Sequence, residues 1–367
     1  MLDIKACEWL LEKADAPIRY RVLRELLDEQ AEATSIEPEL MANPTVQAWL
    51  AKLPPQSGSD TRFPEHGSFD HLLENALLKS VQLGLHAKIP QVAQAIAFYL
   101  QKVENAPPGP SRNKYEGAYG FYDSFIYIMT VNLLAALAPD DRFVLDNLLG
   151  CMDSLHGFTS EGSYDIYVDD KERATLKGIP TVWKERRFIK VELFANAGVC
   201  WPLVYDIIGL STLYALRDPS VDEKVNSIIA YISNDQFHQS IADGYGIIQS
   251  PPKKYHSMGW DPKYPGWSDV GGYLHNNNAS KLLFYALYIA KYPLARKTRW
   301  FADLLSCLST YKTPDNRYLF PKSWLSEKQG YAVQGKHLSF GEDRSKRNWA
   351  EIESTFYMQL LLHQGSK

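Results

Sequence analysis

The sequence is poor in cysteine, in charge of one sign and in long apolar runs, and each shortage removes a class of protein. Cys7, Cys151, Cys200 and Cys307 stand far apart in 367 residues with no C-x-x-C pair. Each lies in an apolar, helix-periodic context where a free thiol behaves as a small hydrophobe, so no disulfide framework and no structural zinc site is written here. A formal net charge of -4 without any long Lys/Arg block argues against nucleic acid or an anionic membrane surface as the main partner. The longest apolar runs, such as LLFYALYIA at 282–290, are far shorter than a bilayer span, and the N-terminus carries acids where a signal peptide needs a basic start. These features predict a cytoplasmic protein without a membrane span. H-E-x-x-H, the P-loop, G-x-G-x-x-G and G-x-S-x-G are all missing, which removes the zincin, P-loop, Rossmann and serine-hydrolase readings. No metal site and no cofactor is expected.

Apolar residues make up 45% of the chain, ample for a core, and they recur at three and four positions. No region alternates with period two for long, so the fold is expected to be all-α. The recurring signal is a turn: HGSF at 66–69, EGAYGF at 116–121, EGSY at 161–164, DGYG at 243–246 and DNRYLF at 315–320. Each follows an amphipathic helix and precedes a more uniformly apolar one, which is a helix pair repeated about an axis. The spacing predicts outer helices near 5–13, 45–53, 90–104, 140–155, 220–235 and 294–311. Their partners fall near 17–30, 69–86, 119–138, 200–217, 276–292 and 348–363. Segments such as FIYIMTVNLLAALA are apolar nearly all round, as a helix covered on both sides must be. About six such pairs close into a ring, an (α/α)6 barrel forming one domain over 1–367.

This repeat resembles the α/α toroid shared by squalene and terpenoid cyclases and the β subunits of protein prenyltransferases. Phe158, Gly162 and Tyr164 keep the spacing of the cyclase repeat, in which Gln and Trp stand where this chain has Phe and Tyr. The D-x-D-D of protonating cyclases and the D-D-x-x-D of diphosphate chemistry are absent, and the prenyltransferase zinc set is not matched. The resemblance therefore implies an architecture, and makes a terpenoid or other polycyclic neutral molecule the first substrate to consider.

In such a ring the first turns of the inner helices converge on one mouth of a central cavity. They read SFDHL, FYDSF, VYDII, HNNNA and NWAEI, and four carry an acid: Asp70, Asp123, Asp206 and Glu351. First-turn acids also offset the helix dipole and cap free N–H groups, so capping is the competing reading. Asp70, Asp123 and Asp206 are the candidate catalytic carboxylates, since acids crowded at a desolvated mouth cannot all ionise together. Tyr122 and Tyr205 precede two of them, and His66 lies four positions before Asp70. The fourth turn replaces the acid with His275 and Asn276, Asn277 and Asn278, and His275 is the candidate proton carrier.

Two insertions enter at the same level. The stretch 243–267, DGYGIIQSPPKKYHSMGWDPKYPGW, holds five Tyr or Trp residues and four prolines, too aromatic for an idle linker. It reads as a lid, with Trp260, Asp261, Trp267 and the nearby Asp269 as candidate binding residues. The stretch 164–194 adds Trp183, Arg186 and Arg187. The leading expectation is an enzyme performing acid–base chemistry on a small apolar or neutral molecule in the cavity. A carbohydrate-active (α/α)6 hydrolase, lyase or epimerase, and a binding protein without catalysis, fit the same residues. The oligomeric state is left open.

Overall fold

The computed structural model describes residues 2–54, 66–105, 119–190, 193, 201–241, 246–250, 254–259 and 261–363. The chain is mostly helical, as the three-and-four spacing predicts. It packs into two compact units, Met1–Phe98 with Tyr264–Lys367, and Tyr99–Lys263. Among the described residues no helix is long and apolar enough to cross a membrane.

In the first unit, Asp3 caps the helix Ile4–Lys13 by accepting from Ala6 N–H, and Asn43 caps Pro44–Leu50 in the same way. Pro44–Leu50 packs on Leu73–Gln82, and Ile4–Lys13 packs on Trp349–His363. The helices differ in how they are covered. Arg299–Ser309 buries Trp300, Phe301, Leu304 and Leu308, one stripe at three- and four-residue spacing, with Leu305 and Cys307 half-buried and the rest exposed. Trp349–His363 is buried from Ala350 to Leu361 except for Glu351, so its polar members Glu353, Ser354, Thr355 and Gln359 are inside as well. Leu73–Gln82 does the same with Glu74, Asn75, Lys79 and Ser80.

The second unit pairs two apolar helices, Tyr119–Leu137 and Val204–Tyr214, and two amphipathic ones, Arg142–Ser160 and Pro219–Ile232. Gly209 is required where the apolar pair touches, because a Cβ there would sit 1.8 Å from Asn132 Oδ1 and 2.8 Å from Leu148 Cδ1. Observed helix ends fall close to those expected from the sequence: Leu73–Gln82 against 69–86, and Val204–Tyr214 against 200–217.

The stretch read as an aromatic lid contains β structure. Gly246–Ser250 and Lys254–Met258 pair antiparallel, from Gly246 opposite Met258 to Ser250 opposite Lys254, and Phe188–Ile189 adds a parallel strand along Ile247 and Ile248. Period two is not visible there because adjacent Ile247 and Ile248 are both buried. Phe188, Ile247 and Tyr255 form a small core of their own, with Val168, Leu176, Ile179 and Trp183 packed against it. Cys7, Cys151 and Cys307 are free thiols, and burial, reinforced by Asp3 and Glu8, pushes Cys7 up to about 12. Cys200 lies outside the described residues.

Candidate acid–base site

The densest buried polar set lies in the first unit. Lys79, on Leu73–Gln82, is wholly enclosed. Its ammonium donates to Glu327 Oε2 at 2.6 Å, Ser339 Oγ at 2.7 Å and the Ser339 carbonyl at 2.8 Å, with the His337 carbonyl at 3.3 Å. Burial brings Lys79 down from the ordinary lysine range, while Glu327 and then Glu353 oppose the change. All four neighbours accept from it, so the nitrogen keeps its protons and stands as a cation. Burial alone would raise Glu327, but the Lys79 charge and hydrogen bonds from His337, Lys79 and Ser339 outweigh it and hold this carboxyl well below the usual range.

From Glu327 a line of charged and ring groups runs outward. Glu327 Oε1 is 3.3 Å from His337 Nδ1, and His337 Nε2 is 3.2 Å from Asp70 Oδ1. The second contact has ion-pair distance without hydrogen-bond alignment, and both atoms are buried with no other partner. Asp70 Oδ2 accepts from Lys52 Nζ at 3.1 Å, and Lys52 lies 3.8 Å above the Trp49 ring, whose edge meets His337 at 4.9 Å and 81°. The His337 side chain is 1% exposed, whereas Asp70 and Glu327 are 25% and 28% exposed. A sealed imidazole thus joins two carboxylates that both reach solvent. Beside it, His66 Nδ1 meets Glu74 Oε2 at 2.7 Å, and its ring stands 5.2 Å from Tyr331.

Glu327, His337 and Ser339 are carried by segment 321–348, which has only short 3-10 turns at Lys322–Trp324 and Ala332–Gln334 yet buries much of its middle. Its enclosed backbone groups need partners, and the polar residues of the fully covered helices supply them. Asn75 Oδ1 accepts from Ala332 N–H, Glu353 Oε1 from Phe340 N–H, and Ser354 Oγ and Thr355 Oγ1 from Phe320 and Tyr318 N–H just before the segment. Burial pushes Glu353 up to about 7, with Arg344 and the Phe340 amide pulling the other way. Gly335, at φ +75°, brings the segment against the Ala279–Ile289 helix; a Cβ there would fall 2.2 Å from the Ser280 carbonyl carbon. Lys79, Asn75 and Glu353 therefore have a structural duty to backbone groups. The His337 ring, Asp70 and Glu327 contact side chains only.

Of the residues expected from sequence, Asp70 and His66 belong to this set, held by Asn75 Nδ2, which donates to the Gly67 and Phe69 carbonyls. The break at Gly67 is real: the helix begins at Leu73, not before Asp70. His275, also in the first unit, is exposed on a wide π-type turn, Leu274–Asn278, with its ring 6.5 Å from Trp324. Asp269 caps Val270–Tyr273 through Gly272 N–H, Trp267 packs on Tyr264 at 5.5 Å, and Glu351 pairs with Arg317 at 3.3 Å.

In the second unit, Asp206 is 1% exposed, accepting from Leu203 N–H at 2.7 Å and Asn132 Nδ2 at 2.9 Å. Burial pushes it up to about 7 against both hydrogen bonds. Tyr205 is buried with its ring 5.9 Å from Phe125, Trp183 packs against the small sheet core, and the Arg186 carbonyl accepts from Arg173. Asp261 accepts from Lys263 N–H in a local turn. Trp260 and the side chains of Tyr122, Asp123, Asn277 and Asn278 lie outside the described residues.

Sequence reasoning missed Lys79, Glu327 and His337. Two signals pointed to them: Asn75, Lys79 and Gln82 form a polar stripe at helical spacing on Leu73–Gln82, and 321–348 is a long stretch without regular helix spacing. Among the described residues no group of three or more His, Cys, Asp or Glu side chains is placed to hold a metal. The chain matches no family model, and no curated protein or solved structure shows similarity to it.

Proposed function

We propose that the chain is an enzyme performing acid–base chemistry on a small neutral or largely apolar molecule, with Asp70 and His337 moving the proton and Glu327 stabilising the charged ring. One observation carries this reading: the enclosed His337 ring has a carboxylate oxygen 3.2–3.3 Å from each nitrogen, and both carboxylates reach solvent. Asp70 exchanges the proton with the substrate. His337 takes it from Asp70 or returns it through Nε2, and Glu327, which Lys79 keeps anionic, stabilises the charged ring at Nδ1. The alternation of one-sided and fully covered helices in both units supports an α/α toroid, and with it a terpenoid-like or polycyclic substrate.

The test is incubation of the protein with a small-molecule cell extract in deuterated water, followed by mass spectrometry. The wild type is expected to consume a compound or place deuterium in one, and His337→Gln to abolish that change. If both proteins leave the extract unchanged, the cluster is a buried polar support; if a compound is retained without change, the chain is a binding protein.

A further inference from the structure

We propose that the second unit carries a separate, shallow site for a zwitterion of amino-acid size, where Arg187 and Asp170 line one cleft. The cleft has a volume of about 390 Å³, within the roughly 300–1,000 Å³ of small-ligand sites. Its apolar lining, the floor, comes from Tyr167, Val168 and Phe188, with the Arg187 and Arg173 guanidiniums over the Tyr167 and Phe188 rings.

The charges around that floor are not equivalent. Asp165 is taken by Lys190 at 2.7 Å, and Asp169 caps Glu172 N–H at 2.7 Å. Arg173 spends both terminal nitrogens on the Arg186 and Lys184 carbonyls and lies over the Phe188 ring. Two groups remain. Asp170 is exposed and, among the described residues, has no side-chain partner. Arg187 lies 3.7 Å over the Tyr167 ring with one terminal nitrogen on the Ser240 carbonyl at 3.2 Å, and among the described residues no carboxylate pairs with it. Its backbone is fixed as well, since its carbonyl accepts from Ile247 N–H at 2.9 Å.

A guanidinium fixed by stacking keeps its remaining N–H groups ready for a carboxylate. The two groups do not pair with each other although they line the same cleft, which leaves space for a ligand between them. A simple anion would face three aspartates, and a simple cation two arginines. A molecule with a carboxylate for Arg187, an ammonium for Asp170 and an apolar side chain for the floor satisfies all three features. The site lies wholly in the second unit and does not depend on the acid–base reading.

Ligand-detected NMR titration of the full chain with L-phenylalanine tests this, with phenylacetate and phenethylamine as half-ligands. Saturable binding of phenylalanine is expected, with each half-ligand, and each of Arg187→Gln and Asp170→Asn, weaker by roughly tenfold or more, as loss of a charge-assisted contact requires. Asp170→Asn removes no contact within the protein, so circular dichroism should match the wild type. The proposal is overturned by absence of saturable binding, by a half-ligand binding as well as phenylalanine, or by unchanged affinity in both variants.

Discussion

Two carboxylates, half-buried Glu327 in the first unit and buried Asp206 in the second, meet opposite fates. Both are desolvated, which by itself favours the neutral acid. Glu327 has a cation at 2.6 Å and hydrogen bonds from Ser339 and His337, and stays ionised. Asp206 has one amide and one backbone N–H, and burial prevails, leaving it near 7. Dipolar donors cap a helix at low charge, whereas a full cation preserves charge in the interior. Keeping charge inside is costly to stability, and a chain that needed only a cap would use the second arrangement.

The largest effect is expected at Lys79. Lys79→Met removes the cation but leaves two enclosed backbone carbonyls and the half-buried Glu327 without it, so it should cost about 3 kcal/mol in urea unfolding. Adding Glu327→Gln should recover part of that loss; a fully additive double variant would show that the two groups are not coupled.

In the second unit, Gly209→Ala should cost about 1–3 kcal/mol by overpacking against Asn132 and Leu148, measured the same way. A neutral result would mean that Tyr119–Leu137 and Val204–Tyr214 separate easily.

Asp206 gives a smaller effect with a definite sign. Its folded pKa lies above the unfolded value, so between 3.8 and about 7 the folded chain holds a proton that the unfolded chain releases. The contribution is present below that window and is lost as pH rises through it. Asp206→Asn should therefore flatten the decline of Tm across the window, and an unchanged slope would remove Asp206 as its source. The smallest effect is at Asp269: Asn caps as well as Asp, so Asp269→Asn should move stability by only a few tenths of a kcal/mol, read from Tm.

The helices were legible in the sequence because each has one dominant period and clear end signals. Asp3, Asn43 and Thr298 cap where a capping residue precedes an apolar stripe. The strands were not legible, since Gly246, Ile247 and Ile248 are buried in succession. Half of the site was visible, because Asp70 and His66 sit in a recurring turn. The other half depends on contacts such as Lys79 to Glu327, 248 residues apart, which no local period encodes. A lysine on a helix ordinarily reads as solvent-facing; here a buried loop needs its protons.

The most direct measurement compares Asp70→Asn with Asp206→Asn in the deuterated-extract assay. If the proton passes between the substrate, Asp70 and His337, Asp70→Asn loses the wild-type conversion and Asp206→Asn keeps it. Full conversion by Asp70→Asn, or its loss only in Asp206→Asn, would contradict the assignment.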